Sequence, residues 1–452
     1  MTIITILLGL VGLGVVVFFH ELGHFIMARL VGVEVEEFSL GWGPKLSGFK
    51  RGNTTYRLSV LPIGGYCRMK GEDSYRKALE EKLEDFPKEP GSYFAAHPFK
   101  RILIALGGPL LNVVFAFAVF ATVFGVGYSV DSWGNKLVLA SDYDGLSYAA
   151  DSAGFSTGDA IVSIDGKDIR SFADIQEAFA LSAEQRLAVV IERNGQRIDT
   201  SVTPQLDRET GAGRVGIYPW VDTSVESLTA GSPLRLAGLA AGDIIVAVDG
   251  VSVRHGIDLI RYLELKRPER PILSYERSGT AKDVTLVLSY AEGLPPDLGI
   301  GWRRTKLTIR SENAFAALAD GWNETIKTIA GTYRGLASLF KGVDVFRAVS
   351  GPARITWVVG QVATESFSTG MASGLTISFN FLAILSIGLF AMNLLPIPLL
   401  DGGWILLFIV EALRGKAAKV KTVFRYQTIG IVAVAGLFLL STIADILFFS
   451  GR

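Results

Sequence analysis

Four apolar runs constrain this chain more than any other feature. Residues 3–30, 102–130, 375–400 and 428–449 are each long and hydrophobic enough to cross a bilayer, which takes about 20 residues of helix. With 49% of its 452 residues hydrophobic, the chain is too apolar for an ordinary soluble protein of this length. The expected fold is a multi-pass α-helical membrane protein with four transmembrane helices. The first run does not read as a cleaved signal, because no basic residue precedes it and no small-residue cleavage site follows it. The formal net charge is 0, which removes the electrostatic case for nucleic acid as a partner. Cys67 is the only cysteine, so no internal disulfide is expected, and it reads as a small packing residue.

Basic residues set the orientation. Lys45, Lys50, Arg51, Arg57, Arg68, Lys70, Lys100 and Arg101 lie between the first two runs; Arg414, Lys416, Lys419, Lys421 and Arg425 lie between the last two. Positively charged loops stay in the cytoplasm. Both termini and the segment from about 131 to 374 are then expected outside. The mixed-charge stretch 72–90 reads as a solvated cytoplasmic loop.

The outer segment carries an internal repeat. AGFSTGDAIVSIDGKDI at 153–169 realigns with AGLAAGDIIVAVDGVSV at 237–253. Each copy is a Gly-Asp turn, an alternating strand, an Asp-Gly turn and a second strand start. The motif resembles the bacterial PDZ domain, which implies two extracytoplasmic PDZ domains, at 131–206 and 207–292, taking peptide C-termini or periplasmic partners by strand addition. Beyond them, Phe315, Leu318, Trp322, Ile326, Ile329, Tyr333, Leu336 and Phe340 recur at helical spacing. This apolar stripe suits either the outer membrane surface or packing against the PDZ pair.

The chemistry lies within the first run. HELGH at 20–24 fits H-E-x-x-H: His20 and His24 share one helix face and reach one metal ion, while Glu21 serves as general base. Charged groups at bilayer depth cost roughly 2.5–3.5 kcal/mol on insertion scales, so they are usually functional there. A catalytic zinc site needs a third protein ligand. His97 and His255 are poorly placed for it. Asp445 falls near the outer face and Glu411 beyond the apolar core, whereas NLLPIPLLDGG (393–403) brings Asp401 to the depth of His20. Pro396 and Pro398 break the helix there, and Gly402–Gly403 let the backbone turn closely behind the ligand. Asn393 either donates a hydrogen bond to a tetrahedral oxyanion or bonds between helices.

HELGH, NLLPIPLLDGG, GGPLLN at 107–112 and the paired repeats together resemble the site-2 protease family of intramembrane zinc metalloproteases, over almost the whole chain. The resemblance implies a bound Zn2+ held by His20, His24 and Asp401, Glu21 as catalytic base, and Asn393 as a substrate-binding or oxyanion residue. It implies a protease of the bacterial inner membrane that cuts a single-span membrane protein already trimmed outside, typically an anti-sigma factor. Trp404 stands where some members have a histidine and is given no catalytic role. YRLSVLPIGGYCRM (56–69) reads as a membrane-associated β-hairpin at about 54–70, with GWG at 41–43 as its companion. Its strand around Tyr56–Val60 is the expected edge for pairing with an unwound substrate. The rival readings are an inactive PDZ-bearing scaffold and a zinc transporter. The intact HELGH and Asp401 argue against the first, and Glu21 between the ligands together with two peptide-binding domains against the second.

Overall fold

The computed structural model describes residues 3–72, 78, 80–81, 83–87, 89–290, 296–344, 350–368 and 370–450. Its longer helices in chain order are α1 (Ile3–Val31), α2 (Pro98–Val126), α3 (Phe172–Ala180), α4 (Gly256–Lys266), α5 (Ala314–Ser338), α6 (Pro352–Ser368), α7 (Met371–Asn393), α8 (Asp401–Arg414) and α9 (Val420–Ser450). The chain forms two units, one of Met1–Tyr128 with Ile309–Arg452 and the other of Ser129–Thr308.

In the first unit, α1, α2, α7 and α9 are long and apolar enough to cross a membrane. The third run was expected to continue to residue 400, but α7 ends at Asn393 and Asp401 opens a separate helix. Pro396 and Pro398 lack the N–H groups a continuing helix needs. The fourth helix begins at Val420, earlier than hydropathy indicates, because its first turns carry Lys421 and Arg425. Helices in this unit meet through small residues, as is usual where lipid supplies no hydrophobic drive. A Cβ on Gly23 would collide with the Gly107 carbonyl of α2, and one on Gly360 of α6 with that of Thr5.

Helix α5 packs by the same rule. Ala317, Gly321 and Thr325 are buried, and Gly321 lies against Ala121 of α2. Ile329 joins the apolar cluster of Ala116, Phe120, Ala383 and Ile387. Phe315, Leu318, Trp322 and Ile326 remain exposed. Much of the stripe legible in the sequence thus faces outward, while Ile329 and the small residues beside the stripe carry the packing.

The sheet differs from the expected hairpin. Strands β1 (Val35–Arg51) and β2 (Thr54–Met69) pair antiparallel, so the element begins well before residue 54. β1 turns at Gly41 and Gly43, whose φ of +86° and +95° favour glycine. Its Glu37–Leu40 segment consequently lies opposite Arg68–Gly65 in descending order and Thr55–Leu58 in ascending order. Residues 45–51 lie opposite 54–59. The 55–58 segment is therefore covered on both sides and is not the edge; 65–69 has a ladder partner on one side among the described residues. The Gly-Trp-Gly interruption masked the alternation of β1 in the sequence.

In the second unit the sequence repeat is a structural one. Ala160–Ile164 pairs with Lys167–Asp168 and with Leu187–Arg193, which pairs with Gln196–Val202. Ile244–Val248, Val251–Ser252, Ile272–Arg277 and Thr280–Thr285 repeat that order. Helices α3 and α4 follow in equivalent places. Arg193 Nε donates to buried Asp159 at 2.8 Å, and Arg277 Nε to buried Asp243 at 2.7 Å. The repeats touch where the Tyr143 hydroxyl donates to Asp258 Oδ1 at 2.7 Å beside fully buried His255. Ser129 and Thr308, the first and last residues of the unit, place their hydroxyl oxygens 3.3 Å apart.

Candidate metal centre

His20 and His24 stand one turn apart on α1, their Nε2 atoms separated by 3.2 Å. Both are buried although α1 is otherwise apolar, because α2 covers them. Gly108 of α2 faces the rings: a Cβ there would lie 2.8 Å from His20 Cε1 and closer still to His24 Nε2. Glycine keeps the space between the imidazoles free.

Each ring is held from behind. His24 Nδ1 lies 2.8 Å from the Ile104 carbonyl, an acceptor that selects the Nδ1–H tautomer and bares Nε2. His20 Nδ1 lies 3.1 Å from the Asn112 side-chain amide. Asn112 is fully buried, and its Oδ1 has no other partner among the described residues. Turning that amide over gives Oδ1 the His20 Nδ1–H and bares the second Nε2.

Asp401 arrives from the break after α7. Leu399 has φ +89°, a conformation costly for a branched side chain by about 1–3 kcal/mol. The turn is held shut because Gly402 and Gly403 lie against the backbone of Leu394, Leu395 and Ile397, and Gly430 of α9 against Pro398. The Asp401 carboxylate lies 3.2 Å from His20 Nε2 and 3.5 Å from His24 Nε2, and the three candidate ligand atoms fall within 4.8 Å of one another. Asp401 Oδ2 has no hydrogen-bond partner among the described residues. With both Nδ1 atoms protonated, these groups present only lone pairs to each other, which is unfavourable until a cation joins them. Two imidazoles and a carboxylate, with one position left for water or substrate, fit zinc.

Glu21 follows His20 on α1, and a Cβ on Gly65 of β2 would lie 3.3 Å from its Cγ. The side chain therefore meets the 65–69 segment. Asn393, the last residue of α7, places Nδ2 3.4 Å from His20 Nε2. The remaining acidic and histidine candidates have other partners. His97 caps α2 by accepting from the Phe99 N–H; Asp445 accepts the Gly351, Ala353 and Arg354 N–H groups around the start of α6; Glu411 pairs with Arg101. Gly108 and Asn112 both lie in GGPLLN, where no spacing marks a role and only their place beside the histidines reveals what they do.

A helix-borne H-E-x-x-H pair faced by a carboxylate, among helices able to cross a bilayer, defines a membrane metallopeptidase. The chain belongs to peptidase family M50, whose sequence pattern matches residues 8–437. Relatives named "Putative zinc metalloprotease" match nearly the whole chain. The one from Treponema pallidum is 41% identical over 446 residues, 98% of this chain and 99% of its own. That from Borreliella burgdorferi is 30% identical, covering 96% of each chain. That from Neisseria meningitidis is 30% identical over 89% of this chain and 90% of its own.

Proposed function

We propose that this protein is an intramembrane zinc endopeptidase that cuts the transmembrane segment of single-span membrane proteins already trimmed outside, an anti-sigma factor being the expected kind. The convergence of His20, His24 and Asp401 carries this reading. Zinc, when bound, supplies Lewis-acid polarisation of the substrate carbonyl and of water. Glu21 takes the proton of the attacking water and delivers it to the leaving amide nitrogen. Asn393 donates its side-chain N–H to the developing oxyanion. Gly108 preserves room at the imidazoles, and Asn112 and the Ile104 carbonyl hold the rings in register.

The basic loops support an orientation in the bacterial inner membrane with both termini and the repeats extracytoplasmic. The repeats read as PDZ domains. In the first, whose core extends past residue 206 to Val215 and Ile217, a cavity of about 660 Å3 is lined by Phe172, Ile175 and Phe179 of α3 and by Val215 and Ile217; it suits the apolar end of an extended peptide.

The test is cleavage in proteoliposomes with zinc content measured in parallel. Glu21→Gln should keep zinc and lose cleavage, whereas His20→Ala, His24→Ala and Asp401→Ala should lose zinc. Substantial hydrolysis by Glu21→Gln would overturn the mechanism.

A further inference from the structure

Beside the metal centre lies a cavity of about 490 Å3, lined by His24 and Asp401, by Cys67 and Met69 of β2, by Trp404, and by Gln427 of α9. Most of its wall is apolar. Gln427 is only 7% exposed, and its amide Nε2 has no hydrogen-bond partner among the described residues. Leaving such a donor unpaired is costly, and folded proteins seldom do so without a reason.

The surroundings hold Gln427 where it is. One residue before it, the Tyr426 hydroxyl donates to the Gly403 carbonyl at 2.8 Å. One turn after it, Gly430 lies against the Pro398 backbone. Helix α9 is thus seated on the turn that carries Asp401, which keeps Gln427 on the cavity wall. Glu72, Tyr93 and Thr428 also line the cavity; the unpaired Gln427 amide calls for one hydrogen-bond acceptor, and the apolar remainder of the wall for apolar bulk. An apolar segment unwound from a helix brings both, since unwinding strips its carbonyls of their partners.

We infer that this cavity is a substrate subsite: Gln427 Nε2 donates to a main-chain carbonyl of the unwound segment, and apolar side chains flanking the cut fill the remaining space. The inference rests on the peptidase reading above and adds to it a substrate-binding residue on α9. Because the acceptor is main chain, Gln427 acts alike on substrates of different sequence. The apolar wall, by contrast, selects side-chain size.

The experiment uses the full-length protein in proteoliposomes with single-span substrates carrying Leu, Phe or Ala in the cut region. Gln427→Met keeps the side chain's length and removes its donor. It should lower kcat/KM about tenfold on every substrate while zinc content stays unchanged. In a Glu21→Gln background, where binding is read without cleavage, it should weaken binding of the same peptides by a similar factor. Ala105→Phe, which fills the cavity from α2, should shift preference from Leu and Phe toward Ala. A folded, zinc-loaded Gln427→Met with wild-type kcat/KM overturns the inference and leaves the peptidase reading intact. Loss of zinc in Gln427→Met, or an unchanged size preference in Ala105→Phe, overturns it as well. No cleavage by the wild-type protein removes the peptidase reading and this inference with it.

Discussion

Arg101 and Glu411 form a buried ion pair, with Nη2 2.6 Å from Oε2 and side chains only 5% and 4% exposed. Arg101 also donates to the Ala96 carbonyl at 3.1 Å and lies over the Phe408 ring. Glu411 accepts the Ala418 N–H at 2.7 Å. One carboxylate thus joins the start of α2, the helix that Asp401 heads, and the turn into α9. Removing one partner of such a pair leaves the other charge buried, at a cost of about 3–5 kcal/mol. Glu411→Ala should therefore lower the thermal midpoint sharply and reduce zinc retention, while Arg101→Met with Glu411→Leu loses much less. Midpoints in detergent with zinc content alongside check this; equal losses in the single and double variants count against it.

Asn112 should act through His20. Asn112→Leu removes the group that orients the ring, and loss of such an outer partner typically weakens metal binding 10–100-fold. Competition with a zinc chelator measures it. Asn112→Asp, which keeps an acceptor for Nδ1–H, should recover much of the affinity. Wild-type affinity in Asn112→Leu rules the orienting role out.

The one-sided strand at 65–69, rather than the exposed strand at 45–51, is predicted to pair with unwound substrate, because it lies beside Glu21. Adjacent residues of a strand point their N–H groups to opposite sides, so one of Tyr66→Pro and Cys67→Pro removes an outward donor. That variant should keep zinc and lose turnover of stable helical substrates, with partial rescue by Gly or Pro placed in the substrate. Leu58→Pro, in the doubly paired segment, should instead disrupt the sheet. Full activity of both edge variants on a helical substrate excludes the pairing.

The insert should weaken in mild acid. His255 is fully buried against the Trp220 ring and the Tyr143 hydroxyl, 3.7 Å from Asp258, with Arg254, Lys136 and Asp142 also acting on it. Burial pushes its imidazole below the ordinary range. The unfolded chain then binds a proton that the folded unit refuses, so stability falls as pH drops below about 6.5, the unfolded value, toward the folded one. Limited proteolysis across this range should show cleavage of the insert rising on acidification, and less steeply in His255→Gln. Identical profiles for the two proteins defeat the prediction.

How much was legible depended on where the interacting groups lie in the chain. His20, Glu21 and His24 share five residues and one helix, so their spacing alone suggests a metal. Asp401 was reached through depth and the proline break. Asn112 lies 92 residues from His20, and Arg101 lies 310 from Glu411; no local pattern links such pairs. Gln427 escaped notice because a single amide at the end of an apolar run looks like its boundary. Of the strand Val35–Arg51 only Gly41–Gly43 is legible as part of the sheet, because glycines that shape a sheet look, in one dimension, like a loop.

The adjoining ends of the insert, Ser129 and Thr308, bear on how such a protein changes over generations. A segment that leaves and returns at one place can be lengthened, duplicated or dropped by recombination without respacing the helices on either side. The 84-residue repeat, with its matched Asp159–Arg193 and Asp243–Arg277 pairs, is the trace such an event leaves. Changes in length or sequence within the insert can thus accumulate without moving the helices that hold His20 and Asp401.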